Sequence, residues 1–220
     1  MTGFRLPDNS HRLAVIGRTG SGKSVFGAFV LSRAPFHKQP YVIVNYKRDK
    51  FLNSIPYVNH IDYKELPKQP GVYMLTPRPD EGAEMEAWMW KVWERERVGL
   101  FFDEMYNVPS PLRGGALQSI FTQGRSKKIP VIGCTQRPKL ISRFLFSEAD
   151  FFALFHLSTK PDRDAIRDFY PEATNLNLPP HHCQWYDVSR DFGCVLKPCP
   201  DEASILQWYD DRLRPRRRKL

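Results

Sequence analysis

One stretch constrains this chain more than any other: Gly17-Arg18-Thr19-Gly20-Ser21-Gly22-Lys23-Ser24. It satisfies the G-x-x-x-x-G-K-[ST] pattern of a phosphate-binding P-loop at every fixed position. The flanks agree with that reading. Leu13-Ala14-Val15-Ile16 is an apolar run of strand length, and residues 24–33 read as a helix. Glycines let the backbone curl so that successive N–H groups point at phosphate oxygens, and the helix N-terminus adds its partial positive charge. In such a loop Lys23 reaches the β- and γ-phosphates and the Ser24 hydroxyl ligates Mg²⁺. The stretch implies a nucleoside triphosphate, ATP, cradled by Gly17, Arg18, Thr19, Gly20, Ser21, Gly22, Lys23 and Ser24.

The rest of the chain alternates in the same way. Apolar runs at 41–45, 98–102, 129–135 and 151–157 read as strands, and shorter segments around 57–58 and 72–75 add to them. Runs without charge are what central parallel strands, covered on both faces, require. Helices are expected over 81–97, 112–128, 162–170 and 202–212. Residues 184–188 and 193–196 form a closing hairpin turned by 189–192. In the helix at 81–97, Trp90 and Trp93 share one face, which favours core packing over base stacking. The expected fold is α/β: a mostly parallel central sheet flanked by helices, followed by a hairpin and a last helix. At 220 residues the chain has room for one well-buried domain. That domain is expected over 1–212, ahead of a basic, disordered tail over 213–220.

Charge placement sharpens the picture. The formal net charge is +9, and six positive charges lie in the last nine residues, leaving the body at +3. Such a block repels itself and seeks a polyanion, nucleic acid before an anionic membrane or an acidic capsid surface. No apolar run approaches the ~20 residues needed to span a bilayer, and the first ten residues lack an apolar signal core. The four cysteines form no C-x-x-C pair and are expected as free thiols. His181, His182, Cys183, Cys194 and Cys199 fit no common tetrahedral zinc module. Residues 1–12 read as a lead-in, with His11 or Arg12 near the nucleotide base.

Asp103-Glu104 closes the apolar run 98–102 and supplies the second half of a P-loop site. Asp103 is the expected Mg²⁺ ligand, with Ser24, and Glu104 the group that orients and deprotonates water. The strand 129–135 ends in Thr135-Gln136, whose side chains can reach a γ-phosphate or its attacking water. With Arg137 and Pro138 it reads T-Q-R-P, preceded by Gly124-Arg125. On these motifs the chain resembles the FtsK–HerA superfamily of DNA-pumping P-loop ATPases, over roughly residues 13–170. Its size and lack of added domains look most like the genome-packaging ATPases of tailless internal-membrane (tectivirus-like) viruses.

That resemblance implies a RecA-like fold and ATP- and Mg²⁺-dependent hydrolysis that drives double-stranded DNA into a preformed capsid. It implies a homo-oligomeric ring, pentamer or hexamer, in the host cytoplasm or at the virion's capsid vertex, with capsid or membrane proteins as further partners. Lys23, Glu104 and Gln136 carry over as catalytic residues. Arg125 maps onto an arginine given to a neighbouring subunit's site, with Arg78, Arg137 and Arg163 as rivals. Asn45-Tyr46-Lys47 departs from the acidic residue and proline that relatives often carry after the second strand. Lys47, Arg48, Lys50, Arg113, Lys139 and Arg143 are candidates for touching DNA phosphates, which a pump indifferent to sequence needs more than base contacts. A cellular HerA-like translocase, a filamentous-phage assembly ATPase, a small-molecule kinase with Arg163 and Arg167 as lid arginines, and a nucleotide-switched capsid-vertex component remain the alternatives.

Overall fold

The computed structural model describes residues 3–109, 114–170 and 177–215. Strand β1 (Arg12–Ile16) is buried along its whole length and runs into the glycine-rich loop and helix α1 (Lys23–Arg33). In order there follow β2 (Pro40–Val44), α2 (Lys50–Asn53), β3 (Asn59–Ile61), β4 (Gly71–Leu75), α3 (Gly82–Arg95) and β5 (Gly99–Phe102). After them come α4 (Ala116–Gln123), β6 (Val131–Thr135), α5 (Phe144–Ser147), β7 (Phe151–Leu154) and α6 (Lys160–Arg167). The hairpin β8 (Cys183–Asp187) and β9 (Phe192–Leu196) precedes α7 (Glu202–Leu213).

Among the described residues, nine strands form one sheet in the order β3-β4-β2-β5-β6-β1-β7-β8-β9. Strands β1 to β7 pair in parallel, and the hairpin extends the sheet antiparallel beside β7. Alternate residues of each central strand therefore enter opposite cores. Ala14 and Ile16 face Met85, Trp88, Val92, Leu117, Ile120 and Ile166. Leu13 and Val15 face the layer of Phe26, Leu31, Leu52, Ile205 and Tyr209. Burial on both sides is why these strands carry no charge between their ends.

Two attachments fix the periphery. The Arg5 guanidinium makes a bidentate pair with Asp187, at 2.6 and 3.0 Å, tying the N-terminal segment to β8. Helix α7 lies on α1, where the buried Tyr209 hydroxyl donates to the Ala28 carbonyl at 2.8 Å. Arg212 donates to the carbonyls of Ser32 and Ala34 at the end of α1, with its guanidinium 4.1 Å from the Phe36 ring centroid.

Several expectations shift. The helix expected over 112–128 spans only Ala116–Gln123. Gly114 sits in the left-handed region at φ 74°, and Gly115 is extended where the helix begins, so the turn cannot start earlier. Arg113 lies outside the described residues, as do 216–220 of the basic tail. Trp88, rather than Trp90 or Trp93, is the fully buried tryptophan of α3. Trp90 and Trp93 are partly buried against the core. Among the described residues, no helix is long and apolar enough to cross a membrane, no three His, Cys, Asp or Glu side chains gather to hold a metal ion, and all four cysteines are free thiols.

Candidate active site

A parallel sheet delivers all its C-terminal strand ends to one edge, and this edge collects the chemistry. β1 ends in the P-loop, β5 in Asp103-Glu104 and β6 in Thr135-Gln136, with β6 hydrogen-bonded between the other two. The loop is pinned on both sides: Gly17 N–H donates to the Thr135 carbonyl at 3.2 Å and Arg18 N–H to the His156 carbonyl at 2.9 Å. A side chain on Gly17 would meet Phe155 Cβ at 2.5 Å, so only glycine fits there. Gly22, at φ 94°, turns the chain into α1.

The ionisable groups are unusually enclosed. Lys23 is buried and its ammonium donates to the Arg18 carbonyl at 2.8 Å. Burial lowers its pKa from the usual lysine range. Ser24 Oγ donates to Asp103 Oδ1 at 2.5 Å. Asp103 is fully buried and its Oδ2 has no hydrogen-bond partner. Burial raises its pKa, against the opposing pull of the Ser24 hydrogen bond and the charge of Lys47. Glu104 is also fully buried. Its Oε1 lacks a partner, as does Ser21 Oγ in the loop. Native interiors rarely leave buried polar atoms unpaired unless a ligand completes them. Gln136 reaches the loop by a hydrogen bond with the Thr19 hydroxyl, and Arg137 with Arg18, Thr19 and Thr159 rims a cavity of about 250 Å³ beside it.

Lys47, expected among the cations that touch DNA phosphates, also reaches this site. Its ammonium lies 2.5 Å from Glu104 Oε2, in an ion pair rather than a well-directed hydrogen bond. Burial works to lower the Lys47 pKa, but the contact with Glu104 and the charge of Asp103 outweigh it and the net shift is upward. The departure from the family pattern at Asn45 explains the placement. Asn45, buried at the end of β2, accepts from Asp49 N–H at 2.9 Å and donates to Asn53 Oδ1 at 3.0 Å. Asp49 in turn caps α2 through Leu52 N–H. This folded-back turn lets the Lys47 ammonium reach Glu104 while much of its stem stays exposed, as Arg48 and Lys50 are.

Two other expectations meet the opposite edge. His11 and Arg12 stand at the start of β1, and five residues of strand, ~16 Å, separate them from the P-loop. Neither can touch a nucleotide base there. Arg12 instead pairs with Asp150 at 3.1 Å and donates to the Phe121 carbonyl. Arg125 shares that edge, 3.8 Å from Asp150 with 64% of its side chain exposed, so it cannot serve the phosphate site of its own chain. Among its rivals, Arg78 pairs with Asp80. Arg137 lies 3.7 Å from Asp162, and Arg163 donates to the Leu157 and Ser158 carbonyls.

No protein-family model matches the sequence. The DNA packaging ATPase P9 of Enterobacteria phage PRD1 is 35% identical over 218 residues, covering 94% of this chain and 95% of that one. The genome packaging NTPase B204 of Sulfolobus turreted icosahedral virus 2, solved with ATP-gammaS, shares the fold at a TM-score of 0.69 and 20% identity. That match covers 87% of this chain and 99% of B204. The N-terminal domain of zonular occludens toxin from Neisseria meningitidis shares it more distantly, at a TM-score of 0.52 and 15% identity over 89% and 97% of the two chains. With a P-loop at the edge of its parallel sheet and 35% identity to P9 over 94% of its length, the chain belongs to the family of viral DNA-packaging ATPases.

Proposed function

We propose that the protein hydrolyses ATP to drive double-stranded DNA into a preformed viral capsid, as a homo-oligomeric ring acting in the host cytoplasm or at the capsid vertex. The observation that carries this reading is the convergence of Lys23 with three buried, unpartnered oxygens, Ser21 Oγ, Asp103 Oδ2 and Glu104 Oε1, around one phosphate-binding loop. An adjacent hydroxyl and carboxylate, Ser24 and Asp103, with Oδ2 unsatisfied and buried, are the donor set a divalent cation needs. A bound Mg²⁺ would offset charge on the β- and γ-phosphate oxygens.

The chain's own residues do the rest. Lys23 holds the β- and γ-phosphates. Lys47 holds Glu104 Oε2, so Oε1 is left to accept the proton of the attacking water. The water oxygen bonds the γ-phosphorus as its bond to the bridging oxygen breaks, and the proton passes through Glu104 to solvent. Gln136, fixed by Thr19, orients that water. Arg125 is assigned to the site of a neighbouring copy, since its own lies across the sheet. Arg48, Lys50, Lys139 and Arg143 are exposed cations suited to DNA phosphates, and the basic segment after α7 adds to them.

The test is ATP turnover with and without long duplex DNA. Stimulation is expected. Lys23→Ala should lose tight ATP binding, while Glu104→Gln should bind ATP without splitting it. Turnover indifferent to DNA, or undiminished in Glu104→Gln, would refute the reading.

A further inference from the structure

An arginine that serves a neighbouring copy has to be aimed from within its own subunit. The backbone around Arg125 is pinned on both sides. Gly124 N–H donates to the Ile120 carbonyl at 2.8 Å, closing α4, and Ile129 N–H donates to the Gly124 carbonyl at 2.8 Å on the way into β6. The side chain itself is 64% exposed, and the carboxylate that meets its guanidinium is Asp150, at 3.8 Å.

Asp150 is built firmly into this edge. It stands just before β7, where its N–H donates to the Arg12 carbonyl at 2.9 Å and its carbonyl accepts from Val188 N–H at 3.0 Å. Its Oδ2 accepts twice from Arg12, from the backbone N–H at 2.8 Å and from Nε at 3.1 Å. Both side chains are largely enclosed, with 7% of Arg12 and 12% of Asp150 exposed. Oδ1 is the atom that faces Arg125, and Arg12 is satisfied without it. Arg12 Nη1 donates to the Phe121 carbonyl in the last turn of α4 and lies 3.4 Å from Glu148 Oε2. One buried guanidinium therefore ties the end of the helix that carries Arg125 to the carboxylate that faces it.

Given the role in a neighbouring site proposed for Arg125, on which this rests, we infer that Asp150, held by Arg12, is a positioning residue that orients the Arg125 guanidinium as it leaves its subunit. A long exposed side chain with no charge beside it spreads over many rotamers. A fixed carboxylate narrows that spread by attraction. At 3.8 Å the contact is loose enough for the guanidinium to be given up to a triphosphate.

The experiment measures steady-state ATP turnover by the full chain. Asp150→Asn keeps the shape of the side chain and an oxygen for Arg12 N–H. Its kcat should fall about 10- to 100-fold, the scale of a misplaced group, with KM for ATP unchanged. Mixed with Glu104→Gln, whose Arg125 is correctly held, turnover per Asp150→Asn copy should rise. A merely structural role would not give that recovery, because a copy damaged through β1 and its own P-loop stays inactive whichever arginine faces it. Glu148→Gln removes a neighbouring charge that also touches Arg12, and it should keep its turnover. Asp150→Glu, which keeps the charge, covers the case in which urea unfolding shows the neutral variant to be unfolded: it should lose less turnover and recover in the same mixture. Undiminished turnover in Asp150→Asn, no recovery on mixing, or an equal loss in Glu148→Gln overturns the positioning role. Absence of ATP turnover in the unsubstituted protein would instead overturn the proposed function, and full turnover by Arg125→Ala the assignment of Arg125.

Discussion

Lys47→Met tests the inner arrangement of the site most directly. Glu104 is fully buried and Lys47 is the cation that meets it, at 2.5 Å. Breaking a buried pair from one side costs about 3–5 kcal/mol, because a charge is left uncompensated. Lys47 keeps 37% of its side chain exposed, so water screens part of that loss and about 1–3 kcal/mol is expected. For a domain of this size that lowers Tm by about 2–12 °C. In the Glu104→Gln background the same substitution should cost little, since a neutral amide needs no counter-charge. The four proteins, unfolded in urea without nucleotide and followed by tryptophan fluorescence, form a double-mutant cycle with an expected coupling of about 1–3 kcal/mol. With ATP, Lys47→Met should lose kcat more than KM, and Lys47→Arg should recover part of it. A coupling under about 0.5 kcal/mol would refute the pairing.

Arg125→Ala should leave stability within about 0.5 kcal/mol, because its pair with Asp150 is long and exposed, yet abolish turnover. Mixed with Glu104→Gln it should regain some, as certain interfaces then hold both groups, and full turnover by Arg125→Ala alone would exclude the assignment. Removing 215–220 takes away four cations while sparing Arg212 and Arg214, so the logarithmic salt slope of duplex binding should flatten by about 3 to 4; an unchanged slope would give the segment another partner. Asp187 is driven upward by burial, but the Arg5 and Ser189 hydrogen bonds prevail and its pKa is lowered. Its contribution to stability is complete above about pH 4 and is lost as pH falls through the depressed value. The stability gap between the unsubstituted protein and Asp187→Asn, read by urea unfolding, should therefore be wide at pH 7 and narrow in acid.

What could be read from the chain was local. The P-loop, the apolar strands and the hairpin announce themselves through runs of a few residues, and Asp103, Glu104 and Gln136 follow because strand ends in a parallel sheet share an edge. What escaped was set by contacts distant in sequence. Lys47 sits in a basic run, Lys47-Arg48-Asp49-Lys50, that reads as a solvated loop until Asn45 folds it back. His11 and Arg12 precede the P-loop by a few residues yet stand a strand's length away.

The clasp between the last helix and the first has a mechanical corollary. Arg212 grips the carbonyls that terminate α1, while the other end of α1 begins at Lys23. Eleven residues of helix make a stiff rod of ~16 Å with the Arg212 clasp at one tip and the phosphate-binding loop at the other. A pull on a partner held by the cationic C-terminus would reach the phosphate-binding loop along that rod, which would put grip and fuel consumption in series.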